Sequence, residues 1–523
     1  SFARCHGKQL SVSGGAAGSR TQFFYSPDTF KPAWARAPEA EVHIFQSGSC
    51  RAFMEIVSIA AVDDKNRTVT VSGPECVAPL RPGDRYFVEN VVEELDSPGE
   101  WYLDRETGQL FYWPEGELTD KSEVIAPRLG RLVELLGDAK AGKPVAHVRF
   151  SGLVFQETDY SPEDGCAGYG MGNDGVVYGK DAADCAVESC VFRNIGKYAV
   201  CLLGGSGNTV GGNDILHAGE GGVLLLRTAR NTVSDNHIHH CGEVYKHIGG
   251  VILEGAGTDE NLVAHNCVHD ISRYGISLKN AGARNRIEYN RVLNTSLETC
   301  DTGAIEVTQH DREFRSGGVI AHNIVGDSIG YSSNGPEPVF MSWGIYLDSF
   351  AGGYTVTHNI TYRNSHGGIM LQGGKDNRVV NNVVVDSTYS QAYISNFAAN
   401  ATGLVLERNI FYYTDPKAVL VSAGKLDEKV IRADRNLVFH AGGKEPVMRG
   451  GASTWADWQA RGFDRNSVLA DPLFVDAEHD NYALRPESPA VKLGIEPIDT
   501  SRVGLLRKRC RCTIRPAGPQ FGL

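Results

Sequence analysis

Three acids stand out for the chemistry they can do together: Asp301, Glu306 and Asp348. Two carboxylates facing one glycosidic bond supply the acid and the nucleophile or base of its hydrolysis. Asp301 and Glu306 bracket the segment Asp301-Thr302-Gly303-Ala304-Ile305-Glu306, and the polar loop Gln309-His310-Asp311-Arg312-Glu313 follows. Asp348 closes Trp343-Gly344-Ile345-Tyr346-Leu347-Asp348. Glu254, Lys279, His310 and Gln372 are candidates for holding substrate, and Trp343 and Tyr346 offer flat apolar faces of the kind that pack on sugar rings. Carboxyl groups about 5 to 5.5 Å apart suit a retaining reaction, and wider spacing suits inversion.

These residues are distant along the chain, so a repeat must assemble them. Asparagine returns as Asn213, Asn236, Asn266, Asn290, Asn323, Asn359, Asn382, Asn409 and Asn436, at gaps of 23, 30, 24, 33, 36, 23, 27 and 27 residues. Most copies read Asn-x-Val/Ile-x-x-Asn, and between them lie short apolar strands headed by Gly, as in Gly250-Val251-Ile252-Leu253. Self-similarity at this period, carried by short strands, predicts an all-β right-handed parallel β-helix. Asn tolerates left-handed backbone angles and its amide bonds neighbouring groups, so stacked coils align an internal Asn ladder.

Strand alternation then places the polar residues. With the heading Gly as zero, the fourth residue after it faces out. Down successive coils, about 4.8 Å apart, that position reads Leu226, Glu254, Lys279, Val307, Asp348 and Gln372. Asp301 precedes its Gly by two residues and Asp348 follows its own by four, an offset of about 20 Å on a straight strand. The pair converges only if Asp301 sits on a turn folding back over this face. Otherwise Glu306 partners Asp348, although alternation points Glu306 inward, where burial would raise its pKa as suits a general acid.

Residues 1–145 lack the Asn period and read as a β-rich module covering the N-terminal end of the solenoid, with a hairpin turning at Thr107-Gly108. The solenoid is expected over 146–475 and a terminal cap and solvated tail over 476–523. Helical turns are expected at Ser453–Gly462 and Ser488–Leu493. The 523-residue chain has 60 Gly for its corners and a net charge of -12 with scattered acids, which argues against nucleic acid. No run reaches the length of a membrane span. Ser-Phe-Ala-Arg-Cys does not read as a signal peptide: either one was removed or the chain begins inside a longer precursor. Cys5, Cys50, Cys76, Cys510 and Cys512 are candidates for disulfides in a secreted protein; Cys190, Cys201 and Cys267 read as buried thiols. No Cys/His set has zinc spacing along the chain, and no cofactor is expected. Of the Asn-x-Ser/Thr triplets at Asn66, Asn294, Asn359 and Asn400, Asn294 and Asn400 are the better glycan acceptors, because the ladder buries Asn359.

The runs Arg85-Tyr86-Phe87-Val88-Glu89-Asn90, Pro98-Gly99-Glu100-Trp101-Tyr102-Leu103-Asp104-Arg105 and Tyr112-Trp113-Pro114 resemble right-handed β-helix glycan-active proteins. So do Asp301-Thr302-Gly303-Ala304-Ile305, Gly344-Ile345-Tyr346-Leu347-Asp348 and Asp471-Pro472-Leu473-Phe474. The chain is most similar to glycoside hydrolase family 141, which includes fucosidase and xylanase activities, from about residue 85 to 500. The resemblance implies catalytic roles for Asp301 and Asp348, a secreted enzyme and a polysaccharide or glycan substrate. The family strand usually carries Tyr where Glu306 stands. Two other readings stay open. A polysaccharide lyase or uronate epimerase would use Lys279, Arg273, Tyr274, His310 or His366 to neutralise a uronate and abstract a proton. A non-catalytic glycan-binding or structural protein would have kept only the scaffold.

Overall fold

The computed structural model describes residues 10–14, 18–27, 29–36, 39–45, 53–72, 75–160, 172–331, 341–424, 426–450 and 454–506. The expectations for Ser1–Cys5, Cys50, Cys510, Cys512 and the basic tail lie outside them, as does most of the loop between Gly330 and Met341.

Three parallel sheets of 12, 11 and 12 strands stack coil upon coil into a right-handed β-helix. The site sheet runs from Val133–Leu136 through Gly249–Glu254, Tyr274–Lys279, Thr302–Gln309, Ser342–Ser349 and Gly367–Gln372 to Met448–Arg449. Its first strand precedes the expected start of the solenoid at residue 146. Inward residues such as Val251, Ile276, Ile305, Ile345 and Ile369 lie opposite one another and are buried. Each coil buries a β-branched stripe against the next, so the core grows with coil number instead of with diameter.

The Asn ladder is present. Amide nitrogens donate to the next side-chain oxygen from Asn213 to Asn436, for example Asn266 to Asn290 at 2.9 Å and Asn290 to Asn323 at 3.0 Å. A second ladder joins Asn208, Asn231, Asn261 and Asn285 at 2.8 to 3.0 Å. The left-handed residue is the one before each ladder Asn: Asp235, His265, Tyr289, His322 and His358 have φ of 55 to 58°. Asn therefore serves the ladder by its amide, and its predecessor makes the corner. From His265 to His358 those predecessors are aromatic, and their rings stack outside the coil at 4.7 to 5.1 Å.

Leu10–Ser11, Gln22–Phe24, Glu41–Phe45, Glu55–Asp63, Thr68–Ser72 and Arg85–Glu89 form a six-stranded antiparallel sheet with its own core. Its described residues meet the coils on their flank, whereas the sequence reading places the module over their N-terminal end. Arg85 donates to the Glu298 carbonyl and its guanidinium covers the Tyr331 ring, while Phe53 meets His247 edge-on. The hairpin Trp101–Asp104/Gln109–Tyr112 forms as expected, as do a helix at Trp455–Ala460 and a 3₁₀ turn at Pro489–Leu493. Beyond Phe474 the chain is a strap along the outside of a second sheet, covering Leu293, Ile324, Ile360 and Ile410. It reaches back until Leu506 N donates to Asp235. A strap in place of an end cap follows from the apolar outer face of that sheet, which needs cover along its length.

Cys76, Cys190, Cys201 and Cys267 are buried, and among the described residues none of them is in a disulfide, Cys76 included. Asn359 is fully buried, but so are Asn294 and Asn400, at 2% and 8% exposure. Their amides are spent inside the fold, Asn294 on Asp270 and Asn400 on the Gly373 carbonyl, and neither is open to a glycan. No helix among the described residues is long and apolar enough to cross a membrane.

Candidate functional site

Register assembles the site. Glu254 pairs with Lys279, Lys279 with Thr308, and Thr308 with Asp348. Two residues earlier on each strand, a second outward column reads Ser277, Glu306, Tyr346 and Met370. Thr308, not Val307, therefore belongs to the polar column, and Val307 is buried opposite Leu278 and Leu347. The heading Gly misleads in this coil because Ile305 pairs with Ile276, which puts Ala304 at the corner and Gly303 one step earlier, opposite Trp343. For the same reason Glu306 faces outward. It is nonetheless only 2% exposed, because neighbouring side chains cover it.

Thr308 joins the two columns. Its hydroxyl accepts from Lys279 Nζ at 2.9 Å and lies 3.1 Å from Glu306 Oε1 and 3.3 Å from Asp348 Oδ2. With one proton to give, it donates to one carboxylate at a time. Lys279 also donates to Glu306 Oε1 and, at 3.1 Å, to Tyr274 Oη. Gly303 N donates to Glu306 Oε2 at 3.0 Å. Burial raises the Glu306 pKa; Lys279 pulls it down and Asp348 pushes it up again. Burial alone would lower the Lys279 pKa, but Glu306 and Tyr274 reverse this and hold the ammonium charged.

Asp348 is half-buried and organised on one side only. Its Oδ1 accepts from Ser349 N at 2.7 Å and Tyr346 Oη at 2.9 Å. Gln372 sits beside it, its Oε1 accepting from Ser349 N at 3.0 Å. Asp301, also half-buried, has a left-handed backbone with φ of 53°, and its carbonyl accepts from Arg273 Nη2 at 2.8 Å. The Tyr346 phenol is pushed well above its usual pKa by burial first, then by the charges of Asp301 and Asp348. Asp301 and Asp348 thus act on one phenol from two coils.

The remaining candidates are placed as follows. Glu254 lies beside Lys279 and its pKa is raised by burial. His310 is exposed at the end of its strand, its backbone N donating to Asn280 at 3.0 Å. Trp343 and Tyr346 point outward but are 2% and 3% exposed, packed on each other at 4.6 Å and against Met370. Neither ring therefore offers an open platform to a sugar, contrary to the sequence expectation. They form a small apolar cluster under the carboxylates instead. Thr308 was missed by counting from Gly; aligning Ile305 and Val307 with Ile276 and Leu278 finds it.

His366 closes this cluster, stacked on Tyr389 at 4.5 Å and edge-on to Trp343 at 4.8 Å. Burial, then Arg449, lowers its pKa from 6.5 to about 4. The native ring stays neutral where the unfolded chain already binds a proton. Stability is therefore unaffected above about pH 6.5 and falls as pH drops toward 4, by up to about 3 kcal/mol. Urea midpoints at neutral pH and at about pH 4.5 measure this, and His366→Gln flattens the decline.

The sequence model of the family described as "Right handed beta helix region" matches residues 174–340. A search of curated proteins finds no match. Among solved structures, one described as a glycoside hydrolase superposes with a TM-score of 0.52 at 17% identity, covering 69% of this chain and 73% of its own. The GH136 lacto-N-biosidase from Eubacterium ramulus is more distant, with a TM-score of 0.35 at 15% identity and 51% of each chain covered. A PL6 family polysaccharide lyase from Pseudopedobacter saltans gives 0.39 at 11% identity, covering 71% of this chain and 99% of its own. At these identities the likeness establishes the fold alone.

Proposed function

We propose that this chain is a carbohydrate-active enzyme that hydrolyses glycosidic bonds, with Asp301 and Asp348 as its catalytic carboxylates. The observation that carries the reading is Asp348 on the outward column, its Oδ1 accepting from the buried Tyr346 phenol over a small apolar cluster, while half-buried Asp301 on the adjacent coil adds its charge to the same phenol's surroundings. Asp348, whose Oδ1 is oriented by Ser349 N and Tyr346 Oη, takes the role of nucleophile or base. That leaves Asp301 as the acid. Glu306 is too buried to touch a substrate. It is a positioning residue that fixes Lys279 and Thr308, and through them Asp348.

The lyase reading needs a base and a free cation. Lys279 is held charged by Glu306, Arg273 is 2% exposed and donates to the Cys300 and Asp301 carbonyls, and the buried Tyr274 phenol is pushed above its usual pKa by burial. None of the three is poised to abstract a proton from a uronate.

The test is a panel of plant, algal and host glycans, read both for new reducing ends and for unsaturated products absorbing in the ultraviolet. Reducing ends without ultraviolet gain support hydrolysis. Ultraviolet gain refutes it, and binding without turnover points to a scaffold that has lost its chemistry. Secretion is part of the same proposal, and a culture supernatant of the native host tests it.

A further inference from the structure

A second constellation lies on a different sheet from the carboxylates. Strands His237–Cys241 and Cys267–Ile271 pair in parallel, with His237 opposite Cys267 and His239 opposite His269. Ile238 and Val268 between them are buried in the core, so the four named residues face outward. His237 Nε2 is 2.8 Å from His269 Nε2, and one ring nitrogen of each histidine and Cys267 Sγ all lie within 4.8 Å of one another. Cys267 and His269 are 3% and 8% exposed, and His237 is half-buried.

The surroundings fix which nitrogens point inward. His269 Nδ1 lies 2.7 Å from Asp270 Oδ2, and Asn294 Nδ2 donates to Asp270 Oδ1 at 3.2 Å. A carboxylate at Nδ1 keeps the proton there and leaves Nε2 as a lone pair. His237 Nδ1 also faces a carboxylate, Asp214, at 3.8 Å. The His239 ring stacks on His269 at 4.9 Å and 4° and holds its plane. Two imidazoles, each with a carboxylate on its Nδ1 side, turn their Nε2 atoms toward each other beside a thiol and share one proton there, which a metal ion would displace.

We propose that His237 Nε2, His269 Nε2 and Cys267 Sγ bind a divalent transition-metal ion of the zinc type, with solvent completing a tetrahedron on the half-exposed His237 side. An N₂S donor set selects such an ion over calcium or magnesium, which prefer oxygen. Metal–nitrogen bonds of about 2.0 to 2.1 Å in a tetrahedron place the two nitrogens roughly 3.3 Å apart, so the rings need to separate by about half an ångström. On binding, the Cys267 thiol gives its proton to solvent and the thiolate takes the metal. Sequence spacing hid this set because its ligands come from two coils, brought together only by strand register. The competing arrangement is a plain hydrogen bond between the two imidazoles.

The full chain, stripped with a chelator, is titrated with Zn²⁺ alone and with Co²⁺ alone. The expected result is one ion per chain, a thiolate-to-cobalt charge-transfer band, and displacement of Co²⁺ by Zn²⁺. Cys267→Ser abolishes the band. His237→Gln weakens Zn²⁺ binding at least tenfold, as estimated for loss of one of three ligands. Asp270→Asn, which touches no metal, weakens it by about 10- to 100-fold while keeping the band. A cobalt spectrum without the thiolate band, or Zn²⁺ binding unchanged in both Cys267→Ser and His237→Gln, overturns the proposal. Should Cys267→Ser fail to fold, the unmodified protein's cobalt spectrum and the His237→Gln titration decide it.

Discussion

Asp348→Asn lowers hydrolysis by about 10²- to 10⁴-fold, the usual worth of a positioned acid–base group. The substitution keeps the side chain's shape and lets its oxygen still accept from Ser349 N and Tyr346 Oη. What it removes is the carboxylate that the proposed reaction needs as nucleophile or base. Asp301→Asn is expected to fall as far on natural glycans, but the two variants part on activated aryl glycosides. An aryl leaving group departs without protonation, so it rescues loss of the acid and leaves loss of the nucleophile or base unrelieved. Rescue of Asp301→Asn alone confirms the assignment. Rescue of Asp348→Asn alone reverses the roles, and full activity in both variants removes these carboxylates from the mechanism. Glu306→Gln provides the contrast, with a smaller drop, because it acts only through Lys279 and Thr308. Activity lost entirely in Glu306→Gln, with the fold intact, would place Glu306 at the reacting atoms despite its burial.

The sequence revealed the fold more readily than the site. Nine asparagines at one phase need only the rule that a repeat stacks, and each of them is in the ladder. The error was in which residue bends the chain. Corner sterics are met by the predecessor, such as His265 or Tyr289, whose type is not constrained enough to show as a pattern. Part of the polar column was legible in the sequence: Glu306, Lys279, Asp348 and Gln372 are linked through Thr308 and Tyr346. Their orientation was not. One residue of slip flips every side chain to the other face, and the choice between Gly303 and Ala304 as the corner of a single strand exchanged Val307 for Thr308. Cover was equally invisible. Whether Trp343 and Tyr346 are a platform or a floor depends on Met370 and His366, which come from the following coil. The strap beyond Phe474 was hidden too, since its partner surface is spread over many coils of one sheet.

Asn290→Ala destabilises the chain by about 3 to 5 kcal/mol, because a cavity and an orphaned donor arise together in a sealed core. Asn290 is fully buried at mid-ladder. Its Oδ1 accepts from both the backbone N and the Nδ2 of Asn266, at 3.0 and 2.9 Å, and its Nδ2 donates to the Val263 carbonyl and to Asn323 at 2.9 and 3.0 Å. Asn266 Nδ2 keeps the Val233 and Ala264 carbonyls, but the Asn266 backbone N–H keeps no side-chain acceptor. Asn290→Asp is worse than Ala, although the side chain is the same size. It turns a donor into an acceptor facing two oxygens and buries a charge. Asn66→Ala is the control, since that residue is exposed and outside the ladder. Because each coil touches only its neighbours, the loss is local in a solenoid, and amide exchange should rise first in the coils on either side of residue 290. Urea midpoints ordered wild type, Asn290→Ala, Asn290→Asp from most to least stable support a ladder that holds the coils in register. An Asn290→Ala midpoint equal to that of Asn66→Ala would mean that apolar packing alone stacks the coils.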